Sequence, residues 1–404
     1  MDFARQVIGP DRLGNWVIVE GDRVLRLGQG AVPEEAAAGQ LECAGQVISM
    51  GAVNAHTHLY SGLAGFEMPE VGPKPRTFLE ILERKWWRMD RALDAATLRA
   101  AARWYVAEAV LHGTTTIVDH HESPEFIEGS LDVIADACAE LGVRALLCYG
   151  ATERNGGRDE AERGLAECRR FIAENERPHI HGVVGLHASF TVSDETVAEA
   201  GAMCRELEVP LHVHLAEDLA DVEDARSRGY DGPLERLEAQ DALPEGSILA
   251  HGVWLDVGQV QRTVARRCWL VQNPRSNRAN DVGYPESLRE SPRVALGTDG
   301  WTSDLRTEGE ALLEIGRDQD EDLAKLAARG LGSNLLAAEL LHIPYAPDAG
   351  MWQAADLVVA DEAGPRHVLA AGRWVVRDRK LTTGDVAEIK ADAERAAREL
   401  WARW

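Results

Sequence analysis

Two histidines one residue apart, His56 and His58, close the stretch Val53-Asn54-Ala55-His56-Thr57-His58, which follows the apolar run Gln46-Val47-Ile48-Ser49-Met50. Residues i and i+2 of an extended strand share a face, so the two imidazoles can stand side by side, as a divalent metal requires. A His-x-His pair alone is more often packing than ligand, and a metal site needs three or four nitrogen or oxygen donors from different elements. His214 and Asp299 supply the remainder, each at the end of a later apolar run. Glu217, three residues beyond His214, can reach the same cavity and carry a proton from water to a leaving nitrogen. His251 is a second acid–base candidate, and Asp299 can both bind metal and accept a proton. His212 shares a face with His214 and is the alternative ligand. His214 is preferred because it lies nearer the strand end and pairs with Glu217. His120 and His121 read as supporting groups rather than ligands.

These residues need a frame that brings separate strand ends together. Amphipathic helical stretches (Leu93 to His112, Ile127 to Leu141, Arg158 to Asn175, Ser193 to Glu208) alternate with short buried runs. Those runs end at His56-x-His58, Asp119-His120-His121, Cys148, His187, His214, His251, Asn273 and Asp299. Eight apolar strands in strict alternation with helices imply a parallel sheet closed into a (β/α)8 barrel, whose chemistry sits at the C-terminal strand ends. Flanking strands at Trp16 to Val19, Arg23 to Leu27, Ala355 to Val359 and Arg373 to Val376 suggest a small β-sandwich built from both termini. The segment from Asp361 to Gly372 reads as turn-rich, and a final helix runs from about Asp385 to Trp404. The expected division is residues 1–48 and 346–404 for the sandwich with its terminal helix, and 49–345 for the barrel. Trp86-Trp87 stands out among the tryptophans because two adjacent helical positions face different surfaces.

The composition narrows the partners. A net charge of -24 over 404 residues excludes nucleic acid and anionic membrane surfaces, which need clustered Lys and Arg. The six cysteines form no C-x-x-C pair, as expected for buried free thiols in a reducing compartment. With no signal-peptide pattern and no run of membrane-spanning length, the expected location is the cytoplasm.

Val53-Asn54-Ala55-His56-Thr57-His58, His214-Leu215-Ala216-Glu217, Leu249-Ala250-His251, Asn273-Pro274-Arg275-Ser276-Asn277 and Gly297-Thr298-Asp299-Gly300 stand in the order seen in the amidohydrolase superfamily. The chain resembles its deaminase and chlorohydrolase branch. Phe78 to Glu83, Trp86-Trp87, Gly185 to Phe190 and Asp299 to Asp304 look most like the SsnA family of aminohydrolases. The resemblance implies metal ligation by His56, His58, His214 and Asp299, acid–base roles for Glu217 and His251, and substrate contact by His187. Trp87, His121 and Asn277 are the further candidate substrate contacts. Dinuclear members carry a bridging lysine at the fourth strand end. Lys74, Lys85, Lys325, Lys380 and Lys390 are the only lysines here and none lies near His187, so one divalent ion per subunit is expected, Zn2+ first and Fe2+ second. The implied activity is hydrolytic deamination of a small amino-substituted N-heterocycle, of the purine or pteridine kind, by a homodimer or higher homo-oligomer. Ring-opening hydrolysis of a cyclic amide or ureide, and a metal-binding homologue without turnover, are the alternatives.

Overall fold

The computed structural model describes residues 5–33, 40–343, 345–346 and 351–404. Eight parallel strands dominate it: Ala52–Thr57, Thr114–His121, Arg144–Ala151, Val184–Ala188, Leu211–Leu215, Ile248–His251, Trp269–Gln272 and Val294–Leu296. Each pairs in parallel with the next. Closure is made just beyond the eighth strand, where Thr57 bridges to Asp299 and the amides of Thr298 and Asp299 both donate to the His56 carbonyl at 3.0 Å. The fold is the (β/α)8 barrel expected from the alternation of elements. The helices begin where polar caps can satisfy free amides: Ser193 accepts the Thr196 N–H, and Asp94 and Thr97 cap each other reciprocally.

The terminal strands form two sheets. Gln6–Ile8, Asn15–Glu20, Arg23–Gln29 and Gln40–Leu41 make one. The other joins Val47–Met50 to Leu357–Asp361, Gly364–Ala370, Arg373–Arg377 and Lys380–Leu381. Ile8, Val17 and Val19 pack with Leu357, Val359 and Leu369 in a shared core, which makes the pair of sheets a sandwich.

Two expectations are corrected here. The apolar run before His56 lies wholly in the sandwich, two residues past the expected boundary after residue 48, because Val47–Met50 pairs antiparallel with Leu357 to Ala360. The chain enters the barrel only after Gly51, whose N–H donates to the Asp356 carbonyl. The turn-rich reading of Asp361 to Gly372 also fails. Gly364, at φ 100°, makes a hairpin turn, and Val368, Leu369 and Ala370 then bury their side chains as the end of a full strand.

Arg144 on the third barrel strand ties barrel to sandwich, donating Nε–H to Asp356 Oδ2 at 2.8 Å while Asp356 Oδ1 accepts the Ala371 N–H. All six cysteines are buried and unpaired. No helix among the described residues is long and apolar enough to cross a membrane.

Candidate active site

At the C-terminal mouth of the barrel, three strands end in left-handed residues that are not glycine: Ala216 (φ 51°), His251 (φ 76°) and Asp299 (φ 52°). Such conformations are costly for L-residues and persist where surrounding structure enforces them, often at functional sites. Here they turn His251 and Asp299, and Glu217 just after Ala216, back over the barrel axis.

The hydrogen bonds fix which imidazole nitrogens are free. His58 Nδ1 lies 2.5 Å from the His120 carbonyl, and His214 Nδ1 lies 2.5 Å from the His187 carbonyl. A carbonyl only accepts, so both Nδ1 atoms carry hydrogen, and in the neutral rings both Nε2 atoms keep lone pairs. Those two Nε2 atoms are 3.2 Å apart, and His58 Nε2 is 3.0 Å from Asp299 Oδ1. His56 Nε2, 3.7 Å from the same oxygen, is buried without a partner. Three imidazole Nε2 atoms and a carboxylate converging in a buried space fit a divalent cation, which neutral rings at such distances can share as ligands. Burial, then its histidine neighbours, hold His56 and His214 well below the usual imidazole range, so both are neutral donors. Burial and the carboxylate of Asp299 push Glu217 well above the usual carboxylate range. Glu217 Oε2 stands 3.6 Å from His251 Nε2, and its Oε1 accepts from Asn280 at 3.4 Å.

The amidohydrolase family model matches residues 47–328, well over half of the chain. The chain belongs to the amidohydrolase family. Like its deaminase relatives, this amidohydrolase is a hydrolase of C–N bonds other than peptide bonds. The 5'-deoxyadenosine deaminase of Methanopyrus kandleri is 28% identical over 390 residues, covering 88% of this chain and 86% of that protein. The 8-oxoguanine deaminase of Pseudomonas aeruginosa is 27% identical over 441 residues, covering 97% and 96%. Among solved structures, an adenosine deaminase from Xanthomonas campestris with bound zinc superposes with a TM-score of 0.82 at 20% identity, over 98% of both chains.

In this amidohydrolase His56, His58, His214, Glu217, His251 and Asp299 come together, and His187 faces the cavity beside them. Trp87 lines it too, its ring 6.2 Å from that of His187. A π-helical turn over Leu82–Trp86 inserts one extra residue in the coil, and both Trp86 and Trp87 reach the cavity.

Two candidate contacts do not reach it. His121 alternates with inward-facing His120, so it points the other way, to Ser123 Oγ at 2.8 Å. Asn277 sits behind His251, its Oδ1 accepting the Nδ1–H at 2.8 Å, and so orients a catalytic candidate rather than substrate. His212 lies one layer deeper and meets His56 Nδ1 at 2.9 Å through its Nε2, a supporting position.

Glu122 was missed by sequence reasoning. It lines the cavity, is 1% exposed, and follows His120 by two residues. Extending the strand's alternation one step past His120 finds it. Burial works against its charge, but His120 and His58 outweigh that and hold the carboxyl well below the usual range.

Asp221 supports the turn carrying Glu217 by accepting the Ala216 N–H at 2.7 Å, while its other oxygen is buried without a partner. Burial raises its pKa to about 7. An unfolded Asp titrates near about 3.9, so the folded state binds the extra proton between the two values. The favourable contribution of the neutral carboxyl is complete below about pH 4 and is lost as pH rises through about 7. Asp221→Asn should therefore gain melting temperature over wild type progressively from pH 4 to 7, then hold that gain. A pH-independent difference in thermal unfolding would refute this.

Proposed function

We propose that this amidohydrolase removes ammonia from an amino-substituted nitrogen heterocycle of the purine or pteridine kind. The observation that carries the reading is the gathering of Glu217, whose carboxyl burial and Asp299 push well above the usual range, with His56, His58, His214 and Asp299 at a cavity walled by aromatic rings. Those four residues would hold one divalent ion, zinc first and iron(II) second, since imidazole and carboxylate donors suit both. The bound ion would activate water at neutral pH.

The chain's own residues do the rest. Ser276 donates to Asp299 Oδ2, which fixes the carboxylate plane and keeps Oδ1 toward His58. Trp87 and His187 place the flat ring so that its amino-bearing carbon faces Glu217. Water adds to that carbon, the carbon–nitrogen bond breaks, and Glu217 delivers the proton with which nitrogen leaves as ammonia. His251, its Nδ1–H spent on Asn277, offers Nε2 to the water proton.

The test is ammonia release over a panel of aminopurines, aminopteridines and aminotriazines with metal-loaded protein. Silence across the panel would sink deamination, and a ring-opened acid without ammonia would place the enzyme among cyclic-amide hydrolases instead.

A further inference from the structure

The deaminase reading leaves one strong group in the cavity without a task. Glu122 is a buried carboxylate lining the same cavity as Glu217.

Its hydrogen bonds show what it can still do. His120 Nε2 lies 3.0 Å from the Leu186 carbonyl and so donates there, while its Nδ1 engages Glu122 Oε1 at 2.5 Å. Glu122 Oε2 is 3.4 Å from His58 Nδ1, but that nitrogen's hydrogen is directed to the His120 carbonyl at 2.5 Å. Oε2 therefore keeps lone pairs to offer. His187 is similar. Thr191 donates its hydroxyl hydrogen to the Ala188 carbonyl, so its oxygen accepts the Nδ1–H of His187 at 3.0 Å. This leaves the Nε2 of His187 as an acceptor. Ligand-capable atoms of Glu122, His187 and His214 all lie within 4.8 Å of one another. No Lys or Arg lines this cavity among the described residues.

We infer that Glu122 and His187 form a paired-acceptor wall that selects heterocycles presenting ring N–H groups beside carbonyls, the lactam or ureide edge of an oxo-purine or oxo-pteridine. An adenine-type ring, whose unsubstituted ring nitrogens are lone-pair acceptors, meets like against like on this wall. Leaving a buried carboxylate unpaired discriminates strongly, because the site loses the desolvation of its own acceptor as well as the bond. The inference names the substrate class within the deaminase reading and rests on it for its biological meaning. Its physical content is binding selectivity, which can be measured without turnover.

The experiment uses metal-loaded wild-type protein and compounds lacking a leaving amine. Xanthine and uric acid carry the N–H edge; 1,3-dimethylxanthine and 1,3,7-trimethylxanthine have it progressively blocked. Calorimetric titration should find the N–H compounds bound at least about tenfold more tightly than the methylated ones. Glu122→Gln should reduce that ratio to within about threefold while retaining the wild-type metal content. Equal affinities in the wild type, or no binding of either N–H compound at millimolar concentration, would overturn the inference even if the variant fails to fold. Loss of a metal equivalent in Glu122→Gln would also overturn it, by making Glu122 a ligand. Ammonia release from the amino-purine panel is scored separately. Selective binding without ammonia refutes deamination alone, and ammonia without selectivity refutes the paired-acceptor wall alone.

Discussion

Glu217→Gln should lower turnover by about 10²–10⁴-fold while leaving bound metal at the wild-type level. The substitution keeps the shape of a carboxyl whose protonated form burial and Asp299 favour. It also keeps an oxygen to accept from Asn280. What it removes is the capacity to give and take a proton. Glu217 Oε2 stands 3.6 Å from His251 Nε2, whereas His58 Nε2 is the nitrogen 3.0 Å from Asp299 Oδ1. Steady-state kinetics with metal analysis of the same preparation decides the matter. Substantial metal loss would move Glu217 into the ligand set, and unchanged turnover would remove it from the reaction.

The barrel and its metal-binding candidates were legible in the sequence because both obey short-range rules. Buried parallel strands are continuously apolar, and a His-x-His pair at a strand end reads directly from the pleat. Gly364–Ala370 was less legible because its turn glycine, proline and charged residues sit in the first half of the strand, ahead of the buried Val368-Leu369-Ala370. The expected boundary between sandwich and barrel fell inside Val47–Met50 because an apolar run does not state its partner. Only the long-range pairing with Leu357 to Ala360 does.

The site divides the same way. Ligands at strand ends follow from position, but what a side chain does there depends on which of its atoms are already engaged. Asn277 stands in a recognisable motif yet spends its oxygen on His251, and His121 is turned away by the alternation that brings His120 inward. Glu122 lacked a motif, and its significance comes from its contacts with His120, two residues before it, and with His58 beyond the neighbouring first strand. Three left-handed residues at strand ends were equally invisible, since nothing in Ala216, His251 or Asp299 as residue types announces positive φ.

Gly297→Ala should cost the protein its metal as well as stability. Gly297 lies between the eighth strand and the candidate ligand Asp299, where the barrel closes on the backbone of His56. A methyl group there would sit 2.5 Å from Asn273 Oδ1, 2.7 Å from the His56 carbonyl oxygen and 2.9 Å from the His56 amide nitrogen. Two of those atoms are backbone and cannot swing aside. The same carbonyl receives the amides of Thr298 and Asp299, so pushing it away separates His56 from Asp299, two of the four candidate ligands. Overpacking of this kind costs about 1–3 kcal/mol, and a metal site tolerates ligand displacements of only about 0.2 Å. The expected result is substoichiometric metal, loss of activity and a lowered melting temperature. Gly201→Ala is the control, since its methyl would meet the Asp241 carbonyl oxygen at 2.5 Å and Ala242 Cα at 2.7 Å, a backbone clash of similar severity between elements that carry no candidate ligand. Both variants should melt earlier than wild type, but only Gly297→Ala should lose metal at temperatures where it remains folded. Equal metal retention by the two would mean that barrel closure does not set the spacing of His56 and Asp299.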